Sequence, residues 1–198
     1  MKPMHKLFVS ECVVLSKRGS GEANTHVALL CKELGLIRAS ARSARVEKSK
    51  LRYGLEPLTR GAFSLIRGKY EWKVTGVSEI SNQYTMLTVP ASRRVALGRV
   101  TRLILRLVQG EEPVPALYAA VVEGFQFVID ARDQKDADAI EIVLVLRILA
   151  QLGYLPKTSE LEPFTSGDLF SLELAAAAAR SRAALIRAIN TSLESTGL

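Results

Sequence analysis

Residues 35–58 read GLIRASARSARVEKSKLRYGLEPL and set six cations, Arg38, Arg42, Arg45, Lys48, Lys50 and Arg52, against two acids, Glu47 and Glu56. The first half alternates. Side chains along a β-strand point to opposite faces with period 2, so Ile37, Ala39 and Ala41 predict a small apolar face and Arg38, Ser40 and Arg42 a cationic one. The stretch from Arg45 to Ser49 is too polar for a core strand. An extended pattern resumes at Leu51, and Pro57 excludes a helix interior there. A cationic strand, a basic loop and a return strand make a groove suited to an anionic polymer. The plainer alternative is a solvated loop rich in Lys and Arg.

Outward from this stretch, four further segments read as strands. LFVSECVVLSKR, within residues 6–18, ends at the turn-forming Gly19-Ser20-Gly21. A second strand runs from about Thr25 to Lys32 and a third from Leu36 to Ala44. The fourth covers roughly Arg52 to Ile66. Arg67-Gly68-Lys69 is a hairpin signal, and a fifth strand spans Tyr70 to Ile80. Five short strands without a helical period predict a small closed barrel or sandwich. The OB-fold suits them, and other small barrels match the strand count equally well.

Beyond Asn82 the period changes to helical. Pro90 to Gln109 places Val100, Leu103, Ile104 and Leu107 at helical spacing, with Gly110 as a stop. Pro115 to Ala131 repeats the pattern with Leu117, Val121, Phe125 and Val128. A third helix, capped by Asp136 or Asp138, has the core IEIVLVLRILAQL, apolar nearly all round, which marks a buried central helix. A polar loop is expected from Lys157 to Pro163. A long final helix is expected from about Ser166, with Leu169, Leu172, Ala176, Ala179, Ala183 and Ile186 on one stripe. The fold class is therefore α+β: a five-stranded OB-fold-like barrel over residues 1–80, followed by an all-α domain over residues 81–198.

The charge divides with the fold. Residues 1–80 carry 15 Lys and Arg against 7 Asp and Glu, a net of +8, while residues 81–198 carry 12 against 13, a net of −1. Such asymmetry points to one module that meets a polyanion and another that does different work. No apolar run approaches the ~18 residues of a membrane span. The N-terminal apolar patch is interrupted by Glu11 and reads as a first strand rather than a signal peptide. Cys12 and Cys31 lack CxxC partners, and buried free thiols in a reducing cytoplasm are expected.

The cations divide into three groups. Arg38, Arg42, Arg45, Lys48, Lys50 and Arg52 lie in the basic stretch, Lys17 and Arg18 at the first turn, and Arg67 and Lys69 at the hairpin. Clustered cations bind phosphates by releasing condensed counterions. Tyr53, Tyr70 and Trp72 offer rings for base stacking, with Tyr53 the best placed and Trp72 better read as core. Arg99, Arg102 and Arg106 form one helical stripe, either a solvated face or a second phosphate strip. Catalytic and metal sets are absent from the pattern: His5 and His26 stand apart, and no GxSxG, P-loop or GxGxxG occurs. The cluster Asp130, Asp133, Asp136 and Asp138 lacks EF-hand spacing and suits a helix-connecting loop. No enzyme, cofactor or bound metal is expected.

The order of motifs resembles the bacterial recombination and repair mediator family RecO. The resemblance runs through Gly21-Glu22, Leu29-Leu30, Gly35-Leu36-Ile37, Ala41-Arg42-Ser43-Ala44-Arg45, Lys48-Ser49-Lys50-Leu51 and Leu55-Glu56-Pro57-Leu58. It continues in the helical half with Glu112-Pro113 and Leu149 to Pro156 (LAQLGYLP). Ser43 departs from the family's usual glycine. Many members follow the LGYLP segment with a CxxC…CxxC zinc module, but this chain has no cysteine after Cys31, so a tetrahedral Cys site cannot form. The resemblance implies single-stranded and also duplex DNA as ligands, strand annealing, and RecA loading with RecR. It also implies a helical groove for the acidic C-terminal tail of single-strand binding protein and a cytoplasmic, nucleoid-associated location. The family's pocket does not map residue by residue; the region expected for it is the Arg99, Arg102 and Arg106 strip, where cations flank an apolar edge. Two other classes fit the composition: a non-catalytic protein–protein adaptor, and an RNA-binding OB-fold protein.

Overall fold

A computed structural model of the chain describes residues 6–20, 24–42, 44, 51–81, 89–167 and 170–195. These residues fall into two compact units. One holds the strands together with the segment Gln109–Pro115; the other holds the helices that follow.

The first unit is a closed barrel of strand order β1-β2-β3-β5-β4. The strands are β1 (Leu7–Ser20), β2 (Asn24–Cys31), β3 (Gly35–Ala41), β4 (Arg60–Arg67) and β5 (Trp72–Ser81), with a single helical turn, α1 (Leu51–Gly54), between β3 and β4. The length of β1 lets one strand serve two partners. Leu7–Val13 pair antiparallel with β4, and Cys12–Ser20 pair antiparallel with β2. The register with β2 slips between Val14 and Ser16, a bulge that bends β1 from one partner to the other. Around the bulge, Val14 N–H donates to the Thr59 carbonyl at 2.9 Å, and Leu58 N–H donates to the Val14 carbonyl at 2.7 Å. Leu58 reaches that carbonyl from a left-handed conformation, φ 66°. The parallel pairs Ala39↔Trp72 and Ser40↔Lys73 close the barrel.

The barrel core contains Val14, Leu29, Ile37, Phe63, Leu65 and Trp72, with Leu55 capping it from the α1–β4 connection. Ile37, Ala39 and Ala41 point inward and Arg38 and Arg42 outward, the alternation expected from their spacing. Two expectations are corrected and a third, Trp72 as core, is borne out. The span Arg52 to Thr59 is not strand: Leu51–Gly54 close one helical turn, too short for a period to show. Cys12 and Cys31 are not free thiols; they are directly opposed across β1 and β2, with Cα atoms 4.0 Å apart, and form a cross-strand disulfide. Trp72 is core, 3% exposed, in an edge-to-face contact with Phe8 at 5.1 Å, and is not available for stacking on a base.

The second unit comprises α2 (Ala91–Leu107), α3 (Pro115–Asp130), α4 (Gln134–Gln151), α5 (Glu162–Thr165), α6 (Leu172–Arg180) and α7 (Arg182–Ser195). Helix α4 buries residues around most of its circumference and packs against α2, α5, α6 and α7. Gly124 lets α3 meet α4 closely, since a Cβ there would lie 2.7 Å from Leu144 Cδ1. Asp133, rather than Asp136 or Asp138, caps α4: its side chain accepts from Asp136 N–H at 2.8 Å.

The stretch Lys157 to Gly167 is not a plain loop. It contains α5 and buries Leu161 and Phe164. The expected long final helix is two. Ser171 caps α6, and a break at Ser181 separates it from α7. The buried positions are Ala175, Ala178 and Leu185, one residue off the expected stripe, with Ser192 further on, and Leu172, Ala176 and Ala183 are exposed. An alanine run carries little information about which face turns inward. Among the described residues no helix is long and apolar enough to cross a membrane.

Candidate nucleic-acid interface

Pairing in register carries outward side chains into rows across the barrel wall. Arg18 on β1 lies opposite His26 on β2, His26 opposite Ser40 on β3, and Ser40 opposite Lys73 on β5. The neighbouring row is Ser16, Ala28 and Arg38. Arg18, His26, Arg38 and Lys73 are exposed, and Arg42 follows at the end of β3. The small side chains of Ser16 and Ala28 leave a depression of about 730 Å³, bordered by Arg18, His26, Arg38, Tyr70 and Glu71. Tyr70, on the β4–β5 hairpin, is 87% exposed, and Lys69 Nζ stands 4.9 Å from its ring centre.

Of the cations singled out in the sequence, Lys17, Arg18 and Arg38 border this depression and Lys69, against Tyr70, stands beside it. Arg52 and Tyr53 lie on α1, both exposed, with the guanidinium 6.0 Å from the ring. Gly54 packs α1 against Val77 and Ile80, at the other end of β5 from Lys73, so this pair is not part of the depression. Arg45, Lys48 and Lys50 lie outside the described residues.

Two of the singled-out cations are engaged within the fold. Lys17 Nζ is 2.7 Å from Glu56 Oε1. Arg67 is 2.8 Å from Glu111 and stands over Trp72 at 5.3 Å. Sequence reasoning gave no role to His26, Lys73 or Glu71. The alternation of Trp72-Lys73-Val74-Thr75 is the signal that could have placed Lys73 outward, but only the strand register sets it beside the others.

In the helical unit, Arg99 is held by Glu141 through two hydrogen bonds, 2.7 and 2.5 Å. That hydrogen bonding raises the guanidinium pKa from its ordinary value, against the partial desolvation. Arg102 and Arg106 are exposed and have no acidic partner among the described residues. The acidic cluster is accounted for locally: Asp133 caps α4, Arg132 donates to Asp136 at 2.7 Å, and Gln134 to Asp138 at 2.7 Å. Among the described residues no group of three or more His, Cys, Asp or Glu is placed to hold a metal ion.

A closed five-stranded barrel of this strand order, with helices after it, is an OB-fold-like domain joined to an α-helical one. The family model described as "Recombination protein O N terminal" matches residues 4–82, and that described as "Recombination protein O C terminal" matches residues 93–160. The chain belongs to the recombination protein O (RecO) family. It is 27% identical over 154 residues to a DNA repair protein RecO of Heliobacterium modesticaldum, covering 78% of this chain and 54% of that protein. It is 26% identical over 168 residues to a DNA repair protein RecO of Pelotomaculum thermopropionicum, covering 83% of this chain and 64% of that protein. The chain thus spans under two thirds of the length of either relative.

Proposed function

We propose that this chain is a non-catalytic, DNA-binding mediator of recombinational repair. In this reading residues 1–80 form the nucleic-acid module and residues 81–198 the partner module, acting in the cytoplasm at the nucleoid. The observation that carries it is the outward face of β1, β2, β3 and β5. Arg18, Arg38, Arg42 and Lys73 are exposed there and, among the described residues, lack acidic partners of the kind that engage Lys17 and Arg67. Cations left unneutralised gain most from phosphate, because each contact releases condensed counterions. Tyr70 and Tyr53 supply rings on which unpaired bases stack. Annealing follows from the same physics, since two polyanions approach only where their charge is screened. Membership of the RecO family supports the assignment, and by that resemblance RecA loading with RecR is the reaction served.

The test is a salt-titrated anisotropy measurement of the full chain on single-stranded DNA, duplex DNA and RNA. The full chain is required because Gln109–Pro115 packs with the strands. Single-stranded DNA is expected to bind best, with affinity falling steeply as salt rises. Reversal of Arg42, Arg45 and Lys48 to Glu weakens binding and flattens the slope. A preference for RNA favours the RNA-binding class; absence of binding to all three favours an adaptor.

For the partner module, the acidic, Pro-Phe-ended tail of single-strand binding protein is the proposed ligand of the α2 strip. Arg102 and Arg106 take its carboxylates, because Arg99 is committed to Glu141. Equal binding of a tail peptide and the same peptide lacking its final residue excludes this assignment.

A further inference from the structure

The depression on the barrel's cationic face is bordered by one carboxylate, Glu71. A carboxylate there opposes the phosphates the face attracts, unless the ligand presents N–H donors to it, because an ionised carboxyl group only accepts. Glu71 Oε2 lies 3.4 Å from His26 Nδ1, and both side chains remain accessible, at 39% and 48% exposure. The second carboxylate oxygen, Oε1, has no partner among the described residues. Around this acceptor stand two exposed cations, Arg18 and Arg38, an exposed ring, Tyr70, and a floor made low by Ala28. A volume of about 730 Å³ exceeds what one nucleotide fills and falls within the ordinary range of ligand sites.

We infer that this depression seats one unpaired nucleotide of a bound single strand and reads its base, with Glu71 as the reading residue and guanine as the favoured base. The inference rests on the single-strand binding proposed above and assigns one position within it. Guanine alone places two N–H donors side by side on its pairing edge, N1–H and the N2 amino group, matching the two oxygens of a carboxylate. Adenine and cytosine set an amino group beside a bare ring nitrogen, so one carboxylate oxygen faces an acceptor. Thymine flanks its single N–H with two carbonyl oxygens and is the worst match. His26 holds the carboxylate at the rim from the opposite side, and Tyr70 stacks on the base. The rest of the strand binds through its phosphates and is read without preference.

The experiment compares the full chain on a thymine 12-mer and on the same 12-mer with one central guanine, for the wild type and for Glu71→Gln and Glu71→Ala. Thermal melts of all three proteins verify folding; Glu71 lies on a surface hairpin, away from the core. The wild type is expected to bind the guanine-bearing strand about tenfold more tightly. Both variants are expected to lose that contrast while keeping or improving their affinity for the thymine strand. Equal wild-type affinity for the two strands, or a contrast that survives in both variants, overturns the inference and leaves single-strand binding standing. Failure of the wild type to bind either strand removes both.

Discussion

The carboxylate of Glu111 accepts a hydrogen bond from the indole Nε1–H of Trp72 at 3.0 Å and at the same time pairs with Arg67 at 2.8 Å. Trp72 is the protein's single tryptophan and is 3% exposed, so its N–H has little access to water as a substitute partner. Glu111→Ala is expected to destabilise the chain by about 1–3 kcal/mol, the cost of an unsatisfied buried donor. Glu111→Gln keeps an acceptor for the indole and should cost less. Denaturant titration followed by tryptophan fluorescence measures both. Equal losses in the two variants would show that the indole hydrogen bond is not what Glu111 contributes.

Gly35 opens β3 with φ 70°, and a Cβ on it would stand 2.3 Å from the Glu112 carbonyl oxygen. The backbone conformation and the close approach both exclude a side chain. Gly35→Ala is expected to cost at least about 2 kcal/mol. Gly98, inside α2, has nothing within 4 Å of the equivalent position. Gly98→Ala should therefore stabilise by about 0.5–1 kcal/mol through helix propensity. Paired thermal melts that move in the same direction would contradict this account.

Arg18→Gln and Arg38→Gln are each expected to weaken binding to single-stranded DNA and to lower the salt slope by roughly one phosphate's worth. Arg99→Gln should leave both unchanged, because that guanidinium is already held by Glu141. A loss for Arg99 equal to that for Arg18 would move the interface to the helical unit.

Chelation is expected to leave the thermal midpoint unchanged. The two cysteines of the chain are bonded to each other, and a tetrahedral structural zinc needs four ligands. Metal recovered near one equivalent, together with a midpoint that falls on chelation, is the contrary result.

How much was legible in the sequence follows from the range of each interaction. Alternation in Ile37 to Arg42 and the helical spacing of Leu117, Val121, Phe125 and Val128 are local, and the structure shows both. The α1 turn has only four residues, fewer than two helical periods, so Leu51 and Arg52 read as extended. The disulfide depends on which residue of β2 faces Cys12, and that is a matter of register across 19 residues. The same limit applies to the candidate interface. Arg38 and Arg42 were marked as outward by their own strand, whereas His26 joins Arg18 only through the β1–β2 ladder. Neutralisation was invisible for the same reason: Lys17 meets Glu56 across 39 residues and Arg99 meets Glu141 across 42.

The grouping of Gln109–Pro115 with the strands has a consequence for the order in which the molecule is made. When translation has passed Ser81, all five strands of the barrel exist, yet the carboxylate that completes the Trp72 contact does not. The ribosome must first produce the whole of α2. A barrel made of residues 1–81 alone would lack both the acceptor for its indole N–H and the Glu112 neighbour of Gly35, which only the segment after α2 supplies. The full contact set of the N-terminal unit is therefore available only once α2 has been synthesised.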